Sequence, residues 1–214
     1  MITIEQVNIW GFEHAVRAMR NPMNSWERSD SRYHLLGFHA GDYVLGEHDL
    51  DLMKRLYKSG SEHRTYARMI QVSMDIVAPL YWWKEMDRYT VGKSQVSCST
   101  MHRIAAKEFE PIDFSFDHID TEIMWGVVDT TLAGLNFARK KYLEAKQHEV
   151  KKVWWWQMIQ LLPSSYNQRR TVCMSYETIF KIIKERSGHK LDEWNEFVDV
   201  VKDLPYVKEI MQDE

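Results

Sequence analysis

The chain has little cysteine: Cys98 and Cys173 are the only two among 214 residues. Two thiols cannot supply the bridge framework that staples small secreted domains, so a reducing, cytoplasmic setting is expected. It also has little net charge. Against 28 Lys and Arg stand 31 Asp and Glu, a formal −3 with histidine neutral. No global basic field therefore invites nucleic acid, although a local group of arginines would be enough for a phosphate-bearing small molecule. Long apolar runs are missing too, and no stretch approaches the roughly 20 residues of a membrane span. The opening "MITIEQVNIWGFEH" carries acids and no apolar block, so no secretory signal is expected there. No Gly/Ser linker, short-period repeat or low-complexity tract interrupts the sequence. The expectation is a soluble intracellular protein with residues 1–214 in one domain.

What is present is ordinary in bulk, with 44% hydrophobic and 28% charged residues. The length is ample for a buried core. Nine tryptophans and twelve methionines exceed average usage. They fit a Trp-rich core, a broad apolar interface or a planar ligand.

"TIEQVNIW" alternates as a strand, and "AVRAMRNPMNSWERSDS" begins with helical spacing before breaking at Asn21-Pro22. Leu50, Met53, Leu56 and Tyr57 share a helical face, with Gly60 as a natural stop. "RTYARMIQVSMDIVAP" reads as a strand through Tyr66, Val72, Met74 and Ile76. Pro79 suits the first turn of the next helix, which carries Trp82, Trp83 and Met86. From Asp117 to Leu162 the pattern predicts two long helices, broken near Gly134 or around 147–150. At least two further helices follow, separated near Ser187-Gly188. The fold class expected is α+β with a helix-rich C-terminal half.

Several polar groups stand out against this frame. Ser59, Ser61, Glu62 and His63 fall at a helix-to-strand turn; such hydroxyls cap a helix or hold phosphate and ribose. Glu85 and Arg88 are three apart and are expected on one helix face, as a surface pair or as a fork for a phosphate or base edge. "GKSQVSCSTMH" reads as a polar loop in which Ser97, Ser99 and Thr100 offer short donors. Cys98 and His102 have the spacing of two metal ligands on a helix, but nothing singles out a third, and no metal site is expected. Cys98 as an activated thiol is another alternative. Arg169 and Arg170 are expected at the entrance of a helix, and Arg186 and His189 at the end of one. These arginines could neutralise a dianionic phosphate, or simply be solvated helix ends.

In this order along the chain, the segments resemble flavin-dependent thymidylate synthases. That family shows a Glu-His pair before a strand, then a proline-led helix ending in Arg-His-Arg. A Ser, Asn-Glu, Ser, Arg-Tyr signature follows, then Leu-Pro and a helix with Asn and Arg before a His and a Gln-Trp pair. The counterparts here are Glu62-His63, Pro79 to Arg88, "RYTVGKSQVSCSTM", Leu162-Pro163 and "SYETIFKIIKERSGHKLDEW". The resemblance covers roughly residues 45–200 and reaches back to "RAMRNPMNSW". The signature departs at several positions. Arg88 alone remains of the triplet, followed by Tyr89 and Thr90; Asn-Glu reads Gln95-Val96 and Arg-Tyr reads Thr100-Met101. Glu85 stands for a glutamine, Ile159 for an arginine and Ser175 for an asparagine, while Arg186 keeps the family's distal arginine.

The resemblance implies a central antiparallel or mixed sheet with long helices, and a cytoplasmic homotetramer with sites between subunits. It implies FAD, a small-molecule nucleotide such as dUMP, and NADPH and methylenetetrahydrofolate as co-substrates. Arg88 and Arg186 would be catalytic. Glu85, Ser97, Ser99, Thr100 and Arg170 would hold substrate, and Ser59, His63, Tyr89, Ser175 and His189 the flavin. The altered signature points to a divergent, phage-type branch: a methyl- or hydroxymethyltransferase, or a relative that binds a nucleotide or protein without catalysis.

Overall fold

The computed structural model of the chain describes residues 2–34 and 41–212. Chain order runs β1 (Thr3–Trp10), α1 (Phe12–Arg20), β2 (Arg32–Tyr33), β3 (Tyr43–Val44), α2 (Glu47–Lys58), β4 (Gln71–Pro79), α3 (Leu80–Met86), β5 (Lys93–Ser97), α4 (Thr100–Arg103), α5 (Glu122–Glu144), α6 (His148–Leu161), β6 (Asn167–Ser175), α7 (Tyr176–Arg186), α8 (Asp192–Lys202) and α9 (Val207–Met211). The central antiparallel sheet has the order β1-β4-β6-β5, and β2 and β3 form a separate antiparallel pair. The α+β class and the helix-rich C-terminal half are as expected.

Four local expectations are corrected. The strand anticipated from Arg64 begins only at Gln71, because Thr65–Arg68 close a 3-10 turn in which the Tyr66 hydroxyl donates to Met53 O at 2.9 Å. Arg169 and Arg170 lie inside β6, not at a helix entrance. The inward side of that strand runs Gln168, Val172, Met174, so a glutamine hid the period of two. The loop "GKSQVSCSTMH" contains β5 and the short α4. Pro79 sits at the N-cap of α3, one residue outside it. Of the two breaks considered between the long helices, the one at the later position is real: α5 runs through Gly134 to Glu144, and α6 starts at His148.

The chain divides into two compact units, and the long strands contribute to both. The first unit gathers Ile76–Arg88 and Val96–Arg170. Its core is the α5–α6 hairpin, where Val128, Leu132, Leu135, Ala138 and Met158 pack with Ile104, Phe109 and Phe114. Spacings of three and four put these residues on one stripe of α5. Trp82 and Trp83 are also fully buried, with rings edge-to-face at 4.8 Å.

The second unit gathers Ile4–Asp75, Tyr89–Gln95 and Thr171–Glu214. Its buried core includes Val72, Met74, Val172 and Met174 from the strands and Tyr176, Ile179, Phe180, Trp194 and Phe197 from the helices. Here the segment Ser29-Asp30-Ser31 straps over the start of α2. The Asp30 carboxylate accepts the N–H groups of His48 and Asp49 at 2.9 and 3.1 Å, supplying the cap that α2 lacks locally. Gly46 makes this approach possible, since a Cβ there would lie 2.1 Å from Asp30 Cγ and 2.6 Å from its carbonyl carbon. Beneath the strap, Asp49 is wholly buried and accepts from Arg20 Nε, Ser29 Oγ and Ser31 Oγ, each at 2.6 Å. Burial favours its neutral form, but the two hydroxyls and the guanidinium outweigh that and hold the carboxyl below its ordinary range.

Candidate functional site

In the first unit, α3 ends at Met86, so Arg88 is not on the helix with Glu85. It lies in the following turn, exposed, with its N–H donated to Glu85 O at 3.1 Å. Arg170 projects from β6 onto the Trp83 ring at 4.3 Å. Its Nε donates to Gln168 Oε1 at 2.9 Å and its Nη1 to Asp87 Oδ1 at 2.7 Å. Thus Arg170 is engaged inside its own unit, and its side chain is only 12% exposed. Ser97 is exposed at the end of β5, while Thr100 opens α4 half-buried. The Ser99 hydroxyl caps α4 by accepting from His102 N at 3.2 Å. Cys98 precedes α4, so it does not share a helix with His102. Among the described residues no group of His, Cys, Asp and Glu could hold a metal ion.

The second unit brings three of the anticipated residues together. Arg186, at the end of α7, lies over two aromatic rings, 4.7 Å from Trp194 and 5.6 Å from Tyr89. Its Nε donates to Tyr89 Oη at 2.9 Å, and that hydroxyl donates to Glu185 Oε2 at 2.8 Å. On the other side Arg186 Nη1 stands 3.1 Å from His189 Nε2, and His189 is tied down through Leu191 N and Asn195 Nδ2. Burial, then the hydrogen bond to Glu185, pushes the Tyr89 phenol up, so it stays protonated at neutral pH and keeps donating. The guanidinium is therefore fixed by its hydrogen bond to Tyr89 and by two ring faces, a stiff positive charge of the kind that recognises planar anions. Glu185 and Trp194 are the residues that sequence reasoning left without a role. The spacing of Trp194 from Arg186 in "RSGHKLDEW" was the available signal.

Ser175 is buried, and its hydroxyl caps α7 through Thr178 N at 3.3 Å. Above it passes the turn at Gly92, whose carbonyl accepts from Ser175 N at 2.8 Å. A Cβ at Gly92, with φ +69°, would lie 2.7 Å from Ser175 Oγ, so glycine is needed there. The Ser59 hydroxyl is likewise engaged, donating to Arg55 O at 2.8 Å.

His63 lies elsewhere in the unit, on a cleft of about 890 Å³ between α1, the strap and α2. Met19, Leu52 and Leu56 give this cleft an apolar side, Arg28 and Arg55 give it cations, His63 an imidazole, and Glu27, Asp30, Asp51 and Glu62 carboxylates. Its size is that of a cofactor or small-molecule site. Arg55 pairs with Asp51 at 3.0 Å, whereas Arg28 and His63 make no side-chain hydrogen bond among the described residues.

No helix among the described residues is long and apolar enough to cross a membrane. No family model and no curated protein sequence matches the chain. Solved structures do. Two of the flavin-dependent thymidylate synthase ThyX from Helicobacter pylori, with FAD and dUMP, are 18% identical, with TM-scores of 0.67 and 0.68. They cover 97% and 99% of this chain and 96% and 97% of their own. The UMP/dUMP methylase PolB from Streptomyces cacaoi, bound with 5-Br dUMP, is 14% identical at a TM-score of 0.63, over 98% of this chain and 94% of its own. The chain has the flavin-dependent thymidylate synthase fold over nearly its whole length, as the resemblance implied.

Proposed function

We propose that residues 1–214 act as one domain that binds FAD and a pyrimidine nucleotide such as dUMP, and that it transfers a methyl or hydroxymethyl unit to C5 of the base. The observation that carries this is Arg186, held rigid between Tyr89 and Trp194 in a fold shared with proteins crystallised with FAD and dUMP. A pre-positioned guanidinium pays little reorganisation cost when it meets a nucleotide anion. The cleft at His63 is assigned to the flavin on Arg28 as donor to a diphosphate and on Met19, Leu52 and Leu56 as the side for a flat apolar ring; Glu27, Asp30, Asp51 and Glu62 also line it, and Asp51 already pairs with Arg55. When bound, FAD supplies the redox chemistry, with NADPH as reductant and methylenetetrahydrofolate as carbon source. The chain's own part is to bind and orient: Arg186 and His189 fix the charged group, Tyr89 keeps its proton and donates a hydrogen bond to Glu185, and Arg88 would polarise the base.

Assembly belongs to the same proposal. The α5–α6 hairpin exposes Ile123, Val127, Phe137, Val153, Trp156 and Leu161, an apolar surface that a second copy would cover in a homotetramer. A phage-encoded, cytoplasmic enzyme is the expected setting. One observation favours the second reading, a relative that binds without turnover: the carboxylate position of the family signature is Val96, which is 77% exposed and offers no acceptor.

The test is the visible absorption of purified protein after FAD is added and free ligand removed, followed by titration with dUMP. Retained flavin, dUMP binding weakened about tenfold in Arg186→Lys, and dUMP consumption with methylenetetrahydrofolate and NADPH are expected. Retained flavin and dUMP binding without turnover would support the second reading. A colourless protein without affinity for dUMP would sink the transferase reading and leave only a relative that binds a protein partner.

A further inference from the structure

A separate hollow of about 800 Å³ lies in the second unit, among the end of β1, the start of α1, the β2–β3 pair and the start of α9. Its walls are aromatic. Trp10 and Tyr33 are 46% and 45% exposed, so this aromatic wall is partly open to solvent. Tyr33 and Tyr43 pack edge-to-face at 5.0 Å. Tyr206 is held by the ring of Phe12 at 5.5 Å and by Leu45 N, which donates to its hydroxyl at 3.2 Å. Tyr206 adopts φ +62° to take this place, an unusual backbone conformation for a bulky residue.

The carboxylates inside the hollow outnumber its basic groups. Glu13, Asp42 and Glu209 line the hollow; no Lys or Arg does among the described residues, and His14 is its one basic group. Glu13 is aimed by the Tyr33 hydroxyl, which donates to Oε2 at 2.6 Å. Arg17 and Arg32 line a neighbouring hollow that shares Tyr33, Tyr43 and Glu13 as its wall. An anionic nucleotide is repelled by such a lining, whereas a cation gains from both ring faces and carboxylates. A bare metal ion is a poor occupant, because hard cations need several oxygens converging on one point. No such group of side chains occurs among the described residues.

We propose that this hollow binds a small organic cation of the alkylammonium or quaternary ammonium class, seated against Trp10, Tyr33, Tyr43 and Tyr206 with Glu13 and Glu209 as counter-charges. The proposal stands apart from the flavin and nucleotide reading and survives its failure.

The probes are choline, tetramethylammonium and the neutral choline isostere 3,3-dimethylbutanol, titrated calorimetrically into the intact chain. Saturation-transfer NMR on the N-methyl protons gives a second readout. The expected result is millimolar or tighter binding of both cations, with the isostere about tenfold weaker. Trp10→Leu keeps an apolar side chain but removes the ring, and should weaken choline about fivefold to tenfold. Glu209→Gln changes an exposed residue, so it tests the charge without threatening the fold, and should weaken both cations with no effect on the isostere. Equal binding of choline and its isostere, equal competition by sodium or potassium, or unchanged affinity in both variants would each overturn the proposal.

Discussion

The α5–α6 hairpin of the first unit and the Asp49 cluster of the second handle difficult side chains in opposite ways. The first leaves large apolar groups of the α5–α6 hairpin in contact with solvent, while its buried stripe is narrow and regular. The second buries charge and satisfies it locally, as at Asp49, where Arg20, Ser29 and Ser31 supply donors. The difference teaches where each unit's energy comes from. Apolar area yields about 25 cal/mol per Å² only when it leaves water, so the hairpin face stabilises nothing until something covers it. A buried carboxylate depends instead on keeping every donor, whatever else binds.

The largest effect should come from opening the charged cluster. Asp49→Ala would strand the buried Arg20 and cost about 3–5 kcal/mol in urea denaturation; a loss under about 1 kcal/mol would mean the pair contributes little. The same cluster sets an acid limit. Because the folded carboxyl titrates below its ordinary value of 3.8, its contribution is fully present above that value. It is lost as pH falls through the folded value. Asp49→Asn should remove this part of the acid-unfolding slope, which stability measured across that range would show.

A smaller effect is expected on the other side of the comparison. Trp156→Glu on α6 should weaken self-association at least about a hundredfold, roughly 3 kcal/mol, seen by sedimentation. Monomer stability should stay within about 0.5 kcal/mol. Unchanged assembly would place the contact on another face. The smallest effect is a cap: Ser175→Ala should cost about 1 kcal/mol in thermal melts through the lost start of α7. If flavin retention fell while stability did not, Ser175 would have a binding role beyond its cap.

The sequence was most legible where apolar spacing was strict, as in α2, β4 and the paired long helices. It misled where polar residues faced inward: Gln168 and Arg170 in β6 obscured a strand because their partners, Cys98 O and Asp87, lie far away in the chain. Arg186 was singled out in the sequence, since its segment kept the family's order. The network that aims it was not, because Tyr89 and Glu185 are 96 positions apart. Hydrogen bonds of that range leave no period to detect. The His63 cleft was foreshadowed by one residue, while Arg28 and Arg55 enter it from segments with no shared pattern.

The contact between Gly46 and Asp30 has a consequence for proteolysis. Because a Cβ at 46 would strike the backbone of Asp30 as well as its side chain, shortening residue 30 cannot make room for it. Gly46→Ala must lift the whole Ser29–Ser31 strap, and Arg28 and Arg32 flank that strap on either side. Trypsin should therefore nick the variant there long before it reaches the core, turning one close approach into a cleavage pattern readable on a gel.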